Sequence, residues 1–370
     1  MRFIIFATIF FIVMSLFSLY VSKRFVKKLH FSKKIKHLIN TFLAINLLGV
    51  LAYMLARYNP SVPNWIYFLL SVPIGIIFLL FITTIFYDLL CVIVNRAPID
   101  EKRRGFFKKS LDIGALSLAT AVNAKAMYNA RNYQVEEVDV KIKNLKKPYN
   151  IVQLSDIHIG GLIDKEFIAS IVKRVNSLNA DIVVITGDLV DTNIKYAQAA
   201  LEELKNLKST YGTYFIVGNH EYFHGVQSII KYVNSLGIKT LENENIYIGE
   251  KNQGFYLAGV YDLMGNRVDA YKPDLKKALE NIKEEPTILL AHQPKFIEEV
   301  KDSVDLVLSG HTHGGQIFPF NFLVKLQQPY IKGLHKYNVK TQIYVNKGTG
   351  FWGPPMRLGS SSEITLLKLT

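Results

Sequence analysis

Cysteine is nearly missing from this chain: its 370 residues hold one, Cys91, inside an apolar run. A single thiol excludes any disulfide framework within the chain and leaves the redox compartment undetermined. Acidic residues are short against basic ones, 30 Asp and Glu to 44 Lys and Arg, giving a formal net charge of +14. That balance suits nucleic acid, an anionic membrane surface or phosphorylated substrates. Its placement decides, because much of it falls between apolar segments near the N-terminus. The sequence also has no internal repeat and no low-complexity segment, which sets aside repeat arrays and compositionally biased linkers. What it has in excess is apolar surface. Hydrophobic residues make up 49% of the chain and the mean hydropathy is +0.17, high for a soluble enzyme. The length allows two domains.

The apolar excess is concentrated in residues 1–130. Phe3 to Val21, Leu38 to Ala56 and Trp65 to Val94 are each long enough to cross a bilayer, with Trp65 and Tyr67 at one interface. A signal peptide fits the first stretch less well, since it has hardly a charged start and no small-residue cleavage site. Asp88 lies near the end of the third span and reads as simply exposed. Leu111 to Tyr128 contains Asp112, Asn123 and Lys125 and is a marginal fourth span rich in small residues. The first connection carries Lys23-Arg24, Lys27-Lys28 and Lys33-Lys34. The third carries Lys102-Arg103-Arg104 and Lys108-Lys109, whereas Arg57 to Asn64 is nearly uncharged. Lysine and arginine stay cytoplasmic, so the N-terminus is expected outside. If residues 111–128 span, the remainder is extracytoplasmic too; if they lie on the surface, it is cytoplasmic. Arg103-Arg104-Gly105-Phe106-Phe107 also has the look of a twin-arginine export signal, although ordinary stop-transfer charges explain it equally well.

From residue 133 to 370 the pattern changes to strands alternating with amphipathic helices, which argues for buried sheet with helices on its faces. Expected strands include Tyr149 to Leu154, Asp181 to Thr186, Thr213 to Val217, Thr287 to Ala291 and Val304 to Ser309. Polar residues gather where these strands end: Asp156 and His158, Asp188 and Asp191, Asn219 and His220, His292, then His311 and His313. Ligands bind beyond the carboxyl ends of strands in open α/β sheets. One Asp after a strand is usually a cap or turn residue, but five successive strand ends have no structural reason to deliver Asp, His or Asn together. Carboxylate, imidazole and amide donors without thiolate suit Mn²⁺, Fe or Zn²⁺ more than a structural zinc site. There are too many donors for one ion, and a carboxylate can bridge two ions about 3.5–4 Å apart.

These blocks, Asp156-x-His158, Gly187-Asp188-x-x-Asp191, Gly218-Asn219-His220-Glu221, His292 and Gly310-His311-x-His313, resemble the calcineurin-like metallophosphoesterases in type and order. The resemblance implies an α/β fold, a four-layer sandwich with two mixed β-sheets flanked by helices, preceded here by the N-terminal transmembrane region. It also implies two divalent metal ions. Asp156, His158, Asp188 and His313 would hold one, and Asp188, Asn219, His292 and His311 the other, with Asp188 shared. By the same resemblance His220 protonates the leaving oxygen or steadies the phosphate, and Asp191 orients it. Gly310 to Gln316, with Gly348 to Arg357 downstream, is similar to the membrane-anchored bacterial branch, whose members have been linked to lipid precursors such as UDP-diacylglucosamine and to cell-wall phosphates. The expected substrate is therefore a phosphorylated small molecule or lipid at a membrane, without nucleic acid. A nuclease of the same fold and a scaffold with a vestigial site are the alternatives. Glu221 reads as a cap or a support for the ligands, His224 as a surface or pocket histidine, and Arg357 as a phosphate binder or a surface ion pair. Gly348 and Gly350 read as a close approach or a tight turn, and Ile317 to Phe322 as a lipid-facing lip or core.

Overall fold

Uninterrupted apolar sequence in the first third forms helices, the one open structure that satisfies every backbone N–H and C=O within its own segment. The computed structural model describes residues 2–56 and 62–370. Helices α1 (Arg2–Tyr20), α2 (Lys33–Ala56), α3 (Asn64–Arg96) and α4 (Glu101–Arg131) follow in order. Three helical stretches, Ile4–Lys28, Lys33–Ala56 and Asn64–Arg96, are long and apolar enough to cross a membrane. Among the described residues α4 is not in that set, in keeping with its polar interior positions. Residues 57–61 of the second connection, part of the orientation reading, lie outside the described residues.

One compact unit comprises Met1–Tyr128 with Gly353–Met356. Its interior corrects the expectation that Asp88 is simply exposed. Asp88 is 7% exposed and accepts hydrogen bonds from Arg24 Nε at 2.6 Å, Lys28 Nζ at 2.7 Å and the Tyr20 hydroxyl at 3.1 Å. A carboxylate persists there because two cations and a hydroxyl occupy its lone pairs. Asp112, also buried, accepts from the His30 backbone N–H at 2.6 Å and the Tyr87 hydroxyl at 2.7 Å.

The other unit comprises Asn129–Trp352 and Arg357–Thr370. Its strands are β1 (Gln134–Val140), β2 (Tyr149–Leu154), β3 (Ile182–Thr186), β4 (Thr213–Ile216), β5 (Lys239–Thr240), β6 (Glu244–Ile248), β7 (Phe255–Gly259), β8 (Thr287–Leu290), β9 (Leu306–Ser309), β10 (Gly333–Lys336), β11 (Gln342–Val345) and β12 (Glu363–Leu369). Between them run α5 (Lys165–Asn176), α6 (Ile194–Leu201), α7 (Asn219–His224), α8 (Val226–Ser235), α9 (Met264–Val268), α10 (Leu275–Ala278), α11 (Ile297–Val300) and α12 (Asn321–Val324). The strands form two mixed sheets, ordered β1-β12-β2-β3-β4-β5 and β10-β11-β9-β8-β7-β6. The four-layer expectation therefore holds in its sheets, which are flanked by helices.

The residue pattern explains the layers. Along β3 every residue of Ile-Val-Val-Ile-Thr is buried, the mark of a strand covered on both faces. Ile151, Ile182, Val184 and Ile216 of the first sheet share one core with Leu257, Ile288, Leu290 and Leu308 of the second. Val307, Leu289 and Val345 face outward onto Phe296, Ile297 and Val300. A one-residue register slip would exchange these faces. Helix α5 buries Ile168, Ile171, Val172 and Val175, a single helical stripe. Each such side chain contributes about 1.5–3 kcal/mol when fully buried. Asp164 caps this helix by accepting from Phe167 N–H at 3.0 Å.

Strands β2, β3, β4 and β5 run parallel, as do β7, β8, β9 and β11. Parallel pairing brings the carboxyl ends of neighbouring strands to one edge, where the loops after β2, β3, β4, β8 and β9 emerge.

Candidate metal centre

Backbone hydrogen bonds tie the loop after β2 to the loop after β3, and the loop after β8 to the loop after β9. Asp156 N–H donates to Gly187 O at 3.0 Å, His158 N–H to Asp188 O at 3.0 Å, and Gly310 N–H to His292 O at 2.9 Å. Asp156, His158, Asp188, His311 and His313 have φ values of 50°, 56°, 50°, 68° and 50°. Few residues other than glycine adopt this left-handed region, at a cost of order 1–3 kcal/mol each, and such residues cluster at functional sites. Here they share the conformation that turns their side chains inward. Close approach is secured by absent side chains: a Cβ on Gly218 would strike Asp188, and one on Gly310 would strike Ser155 and Asp156.

The structure brings all the expected ligand and catalytic residues to one site. Asp156, His158 and His313 present donor atoms within 4.8 Å of one another, as do Asp188, His292 and His311, and as do His158, Asp191 and His220. His158 Nε2 lies 3.0 Å from His313 Nε2, and His313 Nε2 lies 3.5 Å from Asp156 Oδ1. Asp188 stands between the groups, its Oδ2 3.2 Å from His292 Nε2 and 3.9 Å from His158 Nε2. Asn219 Oδ1 is 3.2 Å from His292 Nε2.

His292 tests whether this set suits a cation. Its Nδ1 lies 2.8 Å from Thr186 O and so donates to it, which leaves Nε2 with a bare lone pair in the neutral ring. That lone pair meets a carboxylate oxygen and an amide oxygen. Three electron-rich atoms converge without a donor among them, which a fully buried site tolerates only around a proton or a cation. Burial opposes a charged His292, yet Asp188 and Asp156 push its pKa well above the usual range. Burial drives His158 and His311 down to about 3, so both are neutral and fit to be ligands. The residues present therefore fit divalent cations.

His220 adjoins this cluster, its Nε2 3.9 Å from Asp188 Oδ2. Its Nδ1 is 2.7 Å from Asp191 Oδ1, and His224 Nε2 is 3.3 Å from the same oxygen. His224 is thus mostly buried on Asp191 and is not the plain surface histidine that its sequence suggests. Burial would lower His220, but Asp188 and Asp191 together raise it to about 9. The rings of Phe223 and Trp352 flank His220 at 5.9 and 5.7 Å, and Gln316 holds the Trp352 backbone through both amide atoms, at 2.8 and 3.1 Å.

Two charged residues support the ligand loops, Glu221 as the sequence reading allowed and Arg357 in a way it did not. Glu221 is fully buried, and its carboxylate accepts from the N–H groups of Asp188 at 3.0 Å, Leu189 at 2.8 Å, Val190 at 3.0 Å and Gly218 at 2.6 Å. It fixes the loop that carries Asp188. A carboxylate so placed inside an Asn-His block was the available signal. Glu221→Gln replaces one accepting oxygen with an NH₂ group facing two N–H donors. We expect it to destabilise the fold by about 2 kcal/mol or more, read as a lowered denaturation midpoint, with weaker metal binding.

Arg357 corrects both sequence readings, since it neither reaches solvent nor pairs with an acid. It is fully buried and donates to the carbonyls of Gly350 at 2.6 Å and Lys347 at 2.8 Å. Its Nη2 lies 2.9 Å from His313 Nδ1, so it fixes that ring with Nε2 turned inward. Gly348 and Gly350 are close approaches: a Cβ on Gly348 would meet Arg357 and His313, and one on Gly350 would meet the Ile157 backbone.

Two sheets that collect carboxylates, imidazoles and an amide at one edge define the class of metal-dependent hydrolases. Residues 149–315 match the family described as calcineurin-like phosphoesterase. A metallophosphoesterase of Helicobacter pylori, described as uncharacterized, is 40% identical over 316 residues, 84% of this chain and 84% of that protein. Another, from Campylobacter jejuni, is 35% identical over 375 residues, covering 100% of this chain and 99% of its own length. A bovine protein, described as a transmembrane protein with metallophosphoesterase domain, is 38% identical over 302 residues, 76% of this chain and 67% of that protein. The chain belongs to the calcineurin-like phosphoesterase family and is a phosphoesterase hydrolase.

Proposed function

We propose that this protein is a membrane-anchored, dinuclear-metal phosphoesterase that cleaves a phosphomonoester, phosphodiester or pyrophosphate bond of a lipid or cell-envelope substrate. Asp156, His158, Asp188 and His313 would hold one divalent cation, and Asp188, Asn219, His292 and His311 the second. Manganese, iron and zinc all suit these donors. When bound, such cations lower the pKa of water and polarise phosphoryl oxygens. The chain supplies the proton: Asp191 accepts from His220 Nδ1, which leaves Nε2 facing the site to protonate the departing oxygen. The convergence of His292 Nε2, Asp188 Oδ2 and Asn219 Oδ1 on one buried point, where a cation would stand in place of the His292 proton, carries this reading. Phe223 and Trp352 beside His220 favour a leaving group with an apolar body, which supports the lipid assignment.

The test is hydrolysis of p-nitrophenyl phosphate mono- and diesters by the full chain, stripped with chelator and reloaded with Mn²⁺, Fe²⁺ or Zn²⁺. Turnover that vanishes on stripping and returns on reloading is expected. Intact protein that binds metal and turns over nothing would overturn the assignment. The lysine-rich first and third connections support an extracytoplasmic catalytic domain with residues 111–128 spanning the membrane. Protease added to spheroplasts is then expected to cut residues 133–370, and full protection would place them inside.

A further inference from the structure

Between Asp305 and Glu363 the chain contains no Asp or Glu, while Lys325, Lys332, Lys336, Lys340, Lys347 and Arg357 all fall in that interval. Lys347 lies 2.7 Å from both Glu136 and Glu363, Lys340 lies 3.9 Å from Asp305, and Arg357 is buried. Lys325 and Lys332 are exposed and, among the described residues, face no carboxylate.

Apolar side chains crowd the same stretch. Phe318 is 43% exposed, Phe320 49%, Phe322 58%, Leu323 57% and Leu326 81%. The segment is ordered by successive turns, with Leu323 N–H donating to Phe320 O at 2.9 Å and Leu326 N–H to Leu323 O at 3.1 Å. It is pinned at both ends. Phe318 N–H donates to Leu358 O at 2.9 Å, and the Gln328 side chain accepts from Lys295 N–H at 3.0 Å. Lys332 reaches Gly359 O at 3.4 Å, and Gly359 adjoins Phe318, which sets this ammonium beside the apolar knuckle. The sequence left this segment open between lip and core. Ile317 is core and the phenylalanines that follow are surface.

We propose that the knuckle at residues 318–326, with Lys325 and Lys332 at its margin, docks on an anionic bilayer surface. Phenylalanine and leucine bordered by lysine is the composition of surfaces that sit in the headgroup layer. An apolar patch of this kind marks an interaction site more often than idle surface. The interval itself supplies no carboxylate to repel such lipids. The same chain has three helices long and apolar enough to cross a membrane. A second copy fits worse, because a two-fold contact through this patch would set lysine against lysine.

The experiment uses the full chain with Cys91→Ala in lipid nanodiscs, carrying Leu326→Cys or Lys251→Cys labelled with the fluorophore NBD. Lys251 is exposed in the turn between β6 and β7, at the sheet edge opposite the metal centre. With phosphatidylglycerol present, position 326 is expected to show blue-shifted emission and about twofold more quenching by doxyl lipid than position 251. Replacing phosphatidylglycerol by phosphatidylcholine, or Lys325 and Lys332 by Gln, is expected to reduce that quenching. Equal quenching at the two positions overturns the proposal. So does quenching indifferent to lipid charge, or a blue shift that persists in detergent and grows with protein concentration, which marks a second copy. Phe322→Cys replaces Leu326→Cys should that variant misfold. None of these readouts requires turnover.

Discussion

Asp188→Asn is expected to abolish turnover and to reduce bound divalent metal from two ions per chain to one or fewer. The fold should survive. Asp188 Oδ2 lies 3.2 Å from His292 Nε2, whose other nitrogen already donates to Thr186 O. Without the Asp188 charge that helps hold a proton on His292, the ring is more readily neutral, and an asparagine NH₂ at the Oδ2 position would then donate to its Nε2. The remaining oxygen can still accept from the His220 N–H, as Asp188 Oδ1 does at 2.8 Å. Polar satisfaction of the metal-free protein is therefore kept, and what disappears is the negative charge shared between two clusters of donors. Losing one electrostatic stabiliser of a transition state costs about 10²–10³ in rate. Losing a shared ligand removes more than one, so a fall of about 10³ or greater is expected. Metal content by elemental analysis and the rise in melting temperature on adding Mn²⁺ report the defect without turnover, since a ligand that binds only the folded state raises its stability. A variant that keeps both ions and that thermal shift would show that Asp188 bridges nothing.

The donors were legible because each follows a strand with an unambiguous apolar run. Leu154, Thr186, Ile216, Leu290 and Ser309 end strands within a residue or two of the boundaries that the hydrophobic pattern implies. A short run of Val, Ile and Leu closed by Gly or Ser announces both the strand and its exit. Elements stabilised mainly by their surroundings were not legible. Strand β5 has two residues and exists because Lys239 and Thr240 pair with β4. Strand β10 carries His335 and Lys336 and is an edge strand held by β11. The pattern of Asp274 to Ile282 reads as a helix, yet the helix closes at Ala278, with Asn281 at φ 61°. The burial of the site's supports was hidden for a related reason. Charge predicts exposure, so Arg357 read as a phosphate binder or a surface ion pair, and Glu221, read as a cap or support, gave no sign of its partners. Their burial follows from backbone N–H and carbonyl groups that lie elsewhere in the sequence.

His220→Ala is expected to leave metal binding intact while lowering kcat by about 10²–10⁴, the usual contribution of a positioned acid. The contact that ties residue 220 to Asp188 runs through its backbone N–H and survives the substitution. Asp188 and Asp191 hold His220 at about 9 against the opposing effect of burial, so it carries a proton through neutral pH. Activity should fall as pH rises through that pKa. Asp191→Asn removes one of the two raising charges and should move this alkaline limb to lower pH. Leaving groups separate the possible roles. p-Nitrophenolate departs readily without a proton, whereas an alkoxide does not, so the loss in His220→Ala should be far larger for alkyl than for nitrophenyl esters. Equal losses for both would remove the acid role and leave His220 as a phosphate-binding cation held in place by Asp191.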